Sequence, residues 1–225
     1  MSRNEPNYLA VIGDLVGSRA MRPKERVEVQ ERFKAVLEGI NRDFRDEIAS
    51  LFLITAGDEA QGILKRPHCC RKIVRRLQRG LAPTEIVVGL GYGPLTTELG
   101  EYAVGADGPA FHFARQALVE AKEDRKAYGR AIVREVRLHS ERPLLDTVVD
   151  SLFLALAVIR SHWTEKQSRV LSLLEEGRSA KEAAEALGVP LSNVSRTIET
   201  SQYREYELLT ESLEVVLQEG FNGSI

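Results

Sequence analysis

Every strand pattern in this sequence lies before Arg142-Pro143, and only helical patterns follow it. Short apolar runs rich in β-forming residues predict five strands, at residues 8–12, 48–56, 60–64, 84–91 and 131–138. Apolar side chains at helical spacing predict helices between them, at residues 23–44, 67–81 and 109–122. The resulting βαββαβ order, with extra pieces, predicts a ferredoxin-like sheet with helices on one face.

This change of pattern predicts an α+β fold followed by an all-α region. We predict a first domain at residues 1–142, a connecting helix at 143–162, and a helix-turn-helix domain with a C-terminal helix at 163–225. At ~150 residues per domain, a chain of 225 residues allows one large domain or two small ones.

The composition excludes several classes of protein. Hydrophobic residues make up 43% of the chain and charged residues 28%, which rules out a mainly disordered, collagenous or coiled-coil protein. No apolar run reaches the ~18 residues of a membrane span, and residues 1–6 lack the features of a signal peptide. The two cysteines are adjacent, which fits a reducing compartment. We therefore expect a cytoplasmic protein without a membrane partner. Because the formal net charge is −2, any binding to nucleic acid must use a local patch.

Two aspartates stand at the ends of predicted strands. Asp14 follows the first strand, and Asp58 lies at the tip of the hairpin between the second and third strands. In a βαββ unit the hairpin lies beside the first strand, so both carboxylates reach one edge of the sheet. Paired carboxylates next to phosphates are the ligands that Mg²⁺ or Mn²⁺ requires. The alternative is that Asp14 caps a turn and Asp58 only forms the hairpin.

The segment that follows Asp14 has the chemistry of a phosphate-binding loop. It offers backbone N–H groups, one hydroxyl and one cation. We expect these phosphate-binding residues to be Leu15, Val16, Gly17, Ser18 and Arg19.

Four segments resemble motifs of the class III nucleotide cyclases and their palm-type relatives, in the same order. Residues 12–18 (IGDLVGS) resemble the first metal motif, and residues 55–59 (TAGDE) resemble the second. Residues 86–94 are similar to the strand and turn that follow, and residues 102–115 to the next glycine-containing segment. The whole pattern, over about residues 8–120 and with a helix-turn-helix tail behind it, resembles the SatD family.

The resemblance implies that Asp14 and Asp58 bind Mg²⁺ or Mn²⁺ and that the small-molecule ligand is a nucleotide. It makes Arg115 the candidate for the catalytic arginine. Ile54 and Ala103 stand at the two base-reading positions, and the transition-state asparagine has no clear counterpart. Because phosphoryl chemistry depends on such donors, this pattern favours a nucleotide or metal sensor over a working purine cyclase. A divergent metal-dependent nucleotidyl cyclase or nucleotidyltransferase that uses Asp14 and Asp58 is the alternative.

The predicted helix at residues 67–81 belongs to a strongly cationic stretch. Residues 65–79 contain seven cations and no acid, and several of the cations stand three or four residues apart. Like charges at that spacing destabilise a helix, so another interaction must offset them. We expect a solvated cationic face on Arg71–Arg79, with an acidic partner, nucleic acid or a neighbouring acidic helix as alternatives.

The C-terminal part resembles the helix-turn-helix of sigma-factor region four and of LuxR-type regulators. Ser179 and Glu182 form a capping box, Gly188 makes the turn, and Val194 faces inward from the third helix. In that motif the last helix enters the major groove. Its predicted DNA-binding residues are Ser192, Asn193, Ser195 and Arg196. Residues 163–200 hold five cations and six acids, so the module alone should bind DNA weakly.

Taken together, these patterns indicate a bacterial transcription regulator with a nucleotide- or metal-sensing domain and a DNA-binding domain. We expect a homodimer, because one weak reader needs a second half-site. The last helix, 203–218, has an apolar stripe that either forms the dimer or packs back on residues 144–160: Tyr206, Leu209, Leu213 and Val216. A protein-interaction module without DNA binding, acting through Arg71–Arg79, is a further alternative.

Overall fold

Strands alternate with helices in the first part of the chain, and only helices follow. The computed structural model describes residues 6–128 and 135–221. The strands are β1 (Asn7–Leu15), β2 (Ile48–Ala56), β3 (Glu59–Leu64), β4 (Ile86–Pro94) and β5 (Val136–His139). The helices are α1 (Pro23–Asp43), α2 (Cys70–Leu81), α3 (Pro109–Tyr128), α4 (Pro143–Ser161), α5 (Glu165–Glu175), α6 (Ala180–Leu187), α7 (Leu191–Thr200) and α8 (Tyr203–Glu219). Short 3₁₀ turns at Ser18–Ala20 and Pro67–Cys69 precede α1 and α2.

The five strands form one sheet in the order β2-β3-β1-β4-β5. β1 is antiparallel to β3 on one side and to β4 on the other, and β5 is parallel to β4. β1 takes the centre because its apolar run is buried from Leu9 to Gly13 without alternation, as in strands covered on both faces. The expectation of a mixed α+β fold is confirmed.

The strand boundaries correct one prediction that matters for the site. β1 runs three residues past its predicted end, because Gly13, Asp14 and Leu15 continue the ladder with β4. Asp14 therefore lies inside the strand and does not follow it. β2 has the predicted bounds, whereas β4 starts and ends later than expected. Residues 131–134 of the predicted fifth strand lie outside the described residues.

Helices cover both faces of the sheet, which corrects the prediction that they share one face. Leu9 and Val11 of β1 pack in a core with Phe33 of α1 and Ile73 of α2. Residues of the opposite parity on β1 pack against α3 in a separate core on the other face. The second layer is required because a strand that is apolar on both sides must be buried on both sides.

Two glycines of β4 hold α3 unusually close to the sheet. A Cβ at Gly89 would overlap the carbonyl oxygen of Ala114, and a Cβ at Gly91 would overlap that of Ala110. α3 also runs on to Tyr128, six residues past its predicted end at residue 122. The close packing and the extra length bring the C-terminal half of α3 to the end of β1.

The C-terminal helices share the core of the sheet rather than forming a detached bundle. Leu213 of α8 and Leu156 of α4 belong to the same apolar cluster as the α1–α2 side of the sheet. The ring of Tyr92 on β4 lies 4.6 Å from that of Phe221, measured between centroids. α5, α6 and α7 add a small cluster of their own, built from Val170, Ala184 and Val194. The predicted boundaries at residues 142 and 162 stay predictions.

The apolar stripe of α8 packs inside the chain. Tyr206 and Leu213 are buried, and Leu209 and Val216 lie partly buried against the same core. Of the two alternatives for this stripe, packing back on the connecting helix is the one that the structure shows.

The cationic helix α2 is an internal contact surface, so the prediction of a solvated face is wrong. Three of its arginines pair with glutamates in α8, in α5 and directly after α5: Arg71 with Glu214 at 2.7 Å, Arg75 with Glu175 at 2.8 Å, and Arg79 with Glu176 at 2.5 Å. A fourth, Arg76, pairs with Asp43 at the end of α1. Acidic neighbours from distant parts of the chain thus offset the repulsion along α2.

Among the residues that the structure describes, no helix combines the length and the apolar character needed to cross a bilayer.

Candidate functional site

A pocket of about 390 Å³ opens at the end of β1. Its lining contains both predicted metal ligands and every predicted phosphate-binding residue, together with Val87, Lys122 and Arg125. The residues that the sequence grouped by motif therefore meet in one place. The pocket is distinct from the C-terminal helices, none of which lines it among the described residues.

Strand pairing brings the two aspartates together. Asp14 on β1 lies opposite Glu59 on β3, and the N–H of Leu15 donates to the carbonyl of Asp58 at 3.0 Å. Gly57 forms the turn before Asp58 with a φ of 58°, a backbone conformation that favours glycine. Three carboxylates, those of Asp14, Asp58 and Glu59, consequently share the end of the β1–β3 pair.

Several polar groups of the segment after Asp14 already form hydrogen bonds within the chain. The backbone N–H groups of Leu15 and Val16 already donate within the chain, to Asp58 and Glu85. The hydroxyl of Ser18, which is buried, donates to the carboxylate of Asp58 at 2.5 Å. The cation of Arg19 and the backbone after Val16 remain as the groups of this segment that are suited to a phosphate.

Asp14 is held by a lysine from α3. The ammonium of Lys122 lies 2.9 Å from Oδ2 of Asp14, whose side chain is only 18% exposed. Burial nevertheless raises the pKa of Asp14, the Lys122 contact lowers it by less, and the charges of Asp58 and Glu59 add to the rise. The ionised form of Asp14 is thus incompletely compensated, so this end of the sheet favours additional positive charge.

Arg115, the candidate catalytic arginine, pairs with the neighbouring acid. Its guanidinium contacts both carboxylate oxygens of Glu59, with 2.8 Å from Nη2 to Oε1. This hydrogen bonding raises the pKa of Arg115. Arg115 lies beside the acidic cluster but does not line the pocket, and its catalytic role stays a prediction.

The donor chemistry of the pocket fits a hard divalent ion. Carboxylate oxygens of Asp14 and Asp58 are ligands that Mg²⁺ and Mn²⁺ prefer, and both ions keep positions for phosphate oxygens. The cations of Arg19, Lys122 and Arg125 then suit the phosphates. The base-reading positions do not fit as well, because Ala103 is fully buried and Ile54 has no polar side-chain atom.

The sequence pattern of the SatD family matches residues 8–210 of this chain. The chain belongs to the SatD family. No curated protein sequence matches this SatD-family chain.

Solved structures that resemble the chain include two nucleotide cyclases. The guanylyl cyclase Cya2 is 14% identical, with a TM-score of 0.36 over 59% of this chain and 83% of that one. A bacterial light-regulated adenylyl cyclase is 12% identical, with a TM-score of 0.38 over 60% of this chain and 77% of that one. Csm1 in T. onnurineus is 16% identical, with a TM-score of 0.34 over 93% of this chain and 37% of its own length. At TM-scores below 0.5 these likenesses say nothing about what the SatD-family chain does.

Sequence reasoning missed Glu59, Lys122 and Arg125 as members of the site. Lys122 and Arg125 stand three residues apart on α3, a spacing that places them on one helix face. The predicted end of that helix at residue 122 hid this pattern. Arg125 also pairs with Glu85 at the rim of the pocket.

The predicted DNA-binding residues form a separate surface on α7. Ser192, Asn193, Ser195 and Arg196 are all exposed, while Val194 between them is buried against α5 and α6. The Ser195 hydroxyl donates to the carbonyl of Leu191 within the helix. The first turns of α7 thus present polar side chains outward from a small apolar core.

Proposed function

We propose that this SatD-family chain is a bacterial transcription regulator whose pocket binds a nucleotide with a divalent ion and whose C-terminal helices bind DNA. The observation that supports the proposal most is the pocket, where Asp14 and Asp58 face the cations Lys122 and Arg125. Carboxylates suit the ion and cations suit the phosphates. The proposal also takes the first domain as ferredoxin-like and the C-terminal helices as a helix-turn-helix.

Lys122 is the residue that couples the two halves of the ligand. In the chain alone its ammonium lies 2.9 Å from the Asp14 carboxylate and compensates part of its charge. Mg²⁺ or Mn²⁺ would supply the positive charge that both the carboxylates and the triphosphate oxygens need. Lys122 would then leave Asp14 and turn its ammonium towards a phosphate, so the ion and the nucleotide would bind together rather than separately.

The pocket lacks the groups for cyclisation. Ala103 and Ile54 cannot hydrogen bond a base through their side chains, and Ala110 and Phe111, the candidates for the transition-state position, are buried in the core against the sheet. We therefore expect no appreciable cyclic product from ATP or GTP with Mn²⁺ or Mg²⁺. Robust cyclic nucleotide formation that Asp58→Asn abolishes would instead establish the enzyme alternative.

A thermal-shift panel of nucleoside triphosphates, with and without Mg²⁺ or Mn²⁺, tests the binding half. A ligand at 100 times its Kd should stabilise the chain by ~2.7 kcal/mol. We expect the shift only with metal and nucleotide together, and its loss in Asp14→Asn and Asp58→Asn. The matched control is Asp46→Asn, an exposed aspartate outside the pocket lining. No metal-dependent shift with any nucleotide would overturn the proposed sensor.

The DNA-binding half rests on the exposed start of α7. Arg196 is the cation of that surface, and its side chain is long enough to reach a guanine edge. The pairing of α2 with α5 and α8 gives the pocket domain a direct mechanical contact with the reader. A homodimer is part of the proposal, with half-sites about one helical turn apart.

Mobility shifts on promoter fragments from the chain's own operon test this half. Arg196→Ala should remove ~1–3 kcal/mol of discrimination between specific and scrambled DNA and leave salt-sensitive binding. Arg204→Ala is the matched control, because Arg204 is an exposed arginine on α8 that pairs with Glu207. Equal affinity of the wild type for both fragments would leave α5–α7 with a purely structural role.

A further inference from the structure

Three residues with metal-binding side chains meet at the open end of the β2–β3 hairpin. Glu47 immediately precedes β2, and His68 and Cys69 lie in the 3₁₀ turn that follows β3. Ile48 pairs with Leu64, and the N–H of Lys65 donates to the carbonyl of Glu47 at 2.8 Å. The hairpin therefore holds the two chain segments side by side.

The donor atoms are close enough to share one ion. Nε2 of His68 lies 3.2 Å from Oε2 of Glu47, and one donor atom from each residue lies within 4.8 Å of the others. In a tetrahedral site with bonds of about 2.0–2.3 Å, donor atoms lie roughly 3.3–3.8 Å apart. Small side-chain rotations would reach that geometry. Cys69 is buried, and the other two side chains are about one-third exposed.

The combination of donors selects the class of metal. Thiolate and imidazole prefer a borderline-soft ion such as Zn²⁺, whereas Mg²⁺ and Ca²⁺ prefer oxygen ligands alone. Three protein ligands leave a fourth position for water. We propose that Glu47, His68 and Cys69 form a zinc site that is separate from the nucleotide pocket.

The separation follows from the sheet. The nucleotide pocket includes Asp58 at the tip of the hairpin, and the proposed zinc site lies at its opposite end. β2 has nine residues, so the two sites are roughly 30 Å apart at ~3.3 Å per residue. The two sites have no residue in common.

The position of the zinc site also assigns it a structural effect. Cys69 belongs to the same buried cluster as Leu213 and Leu217 of α8, and α8 packs on the 3₁₀ turn that holds His68 and Cys69. A zinc ion would join this turn to Glu47 at the end of the α1–β2 connection. We expect bound zinc to stabilise the docking of α8 on the sheet.

Cobalt binding to the untagged, reduced chain is the decisive experiment. Co²⁺ coordinated by a thiolate gives a near-ultraviolet charge-transfer band, so one equivalent of Co²⁺ should produce this band and one equivalent of Zn²⁺ should remove it. Cys69→Ser should abolish the band. His68→Asn should weaken Co²⁺ binding at least about tenfold, because loss of a residue that only hydrogen bonds to a metal ligand already costs about 10–100-fold.

Cys70→Ala is the matched control, because Cys70 is the neighbouring thiol and is fully buried in the core. It should keep the band, and so should Asp14→Asn, which tests independence from the nucleotide pocket. Circular dichroism of each metal-free variant checks that it folds. The proposal is overturned if the folded wild type gives no thiolate band, if the band survives in Cys69→Ser, or if Cys70→Ala alone removes it.

Discussion

The α2–α5 interface and the pocket at the end of β1 each hold a carboxylate against a cation, Glu175 against Arg75 and Asp14 against Lys122. Burial alone would raise the pKa of Glu175, but three hydrogen bonds from Arg75 and one from Tyr206 bring it below its ordinary value. Burial raises the pKa of Asp14 as well, and there Lys122 does not reverse the rise. The first carboxylate is saturated with donors, and the second is not.

This difference separates a contact that holds the fold together from one that is ready for a ligand. Both side chains of the Arg75–Glu175 pair are less than 20% exposed, and both carboxylate oxygens of Glu175 accept hydrogen bonds within the chain. Lys122 is 43% exposed, so its ammonium can move into water once another cation compensates the carboxylate of Asp14. A cation can therefore replace Lys122 at Asp14, whereas nothing can replace Arg75 at Glu175 without loss of stability.

The largest expected effect comes from the saturated pair. Arg75→Met should destabilise the chain by ~3–5 kcal/mol, because it leaves the buried carboxylate of Glu175 without its partner. Urea denaturation measures the change. The control Arg204→Met removes an exposed pair with Glu207 and should cost ~0–1 kcal/mol. Equal effects of the two substitutions would show that burial does not distinguish the α2 interface from the surface.

Sequence reasoning reached the pocket because its residues lie in two short motifs. Asp14 and Asp58 each stand beside a glycine at the end of an apolar run. They meet because β1 pairs with β3, the second strand of the hairpin that carries Asp58. Lys122 was missed because its contact with Asp14 depends on how closely α3 packs on β4. That distance is set by Gly89 and Gly91 through tertiary packing, which no local pattern reports.

The cations of α2 show the same limit of sequence reasoning, because their partners are also set by tertiary packing. Seven cations in fifteen residues indicate that a partner is needed, but the partners of Arg71 and Arg75 lie 143 and 100 residues away in the chain. A solvated face and an internal interface give the same sequence pattern. Likewise, the extension of β1 through Asp14 depends on neighbours on both sides, β3 and β4, which a single strand pattern cannot indicate.

A smaller effect should follow from removing the replaceable cation. Lys122→Met should lower the stability of the unliganded chain by only about 1 kcal/mol, because the Lys122 side chain is 43% exposed and the pair is partly screened by water. The same variant should gain more stability than the wild type from Mg²⁺ or Mn²⁺ alone, since no ammonium then competes with the ion for the carboxylate of Asp14. Thermal melts with and without each ion measure both effects. A response to the ion that is no larger than in the wild type would mean that Lys122 does not occupy the ion's place.

The smallest expected effect is a difference in the sign of the pH dependence. The pKa of Asp14 is raised above its ordinary 3.8, so the native state holds this proton to higher pH than the unfolded state does. Relative to Asp14→Asn, the wild type should therefore lose stability as the pH rises from 3.8 through the folded pKa.

The pKa of Glu175 is lowered below its ordinary 4.5, so its contribution to stability is present above pH 4.5 and is lost as the pH falls through the folded pKa. The stability difference between the wild type and Glu175→Gln should then increase with pH. Urea midpoints of the three proteins between acid and neutral pH measure both slopes. Slopes of the same sign would mean that Asp14 is as well compensated as Glu175, and the pocket would then have no preference for an added cation.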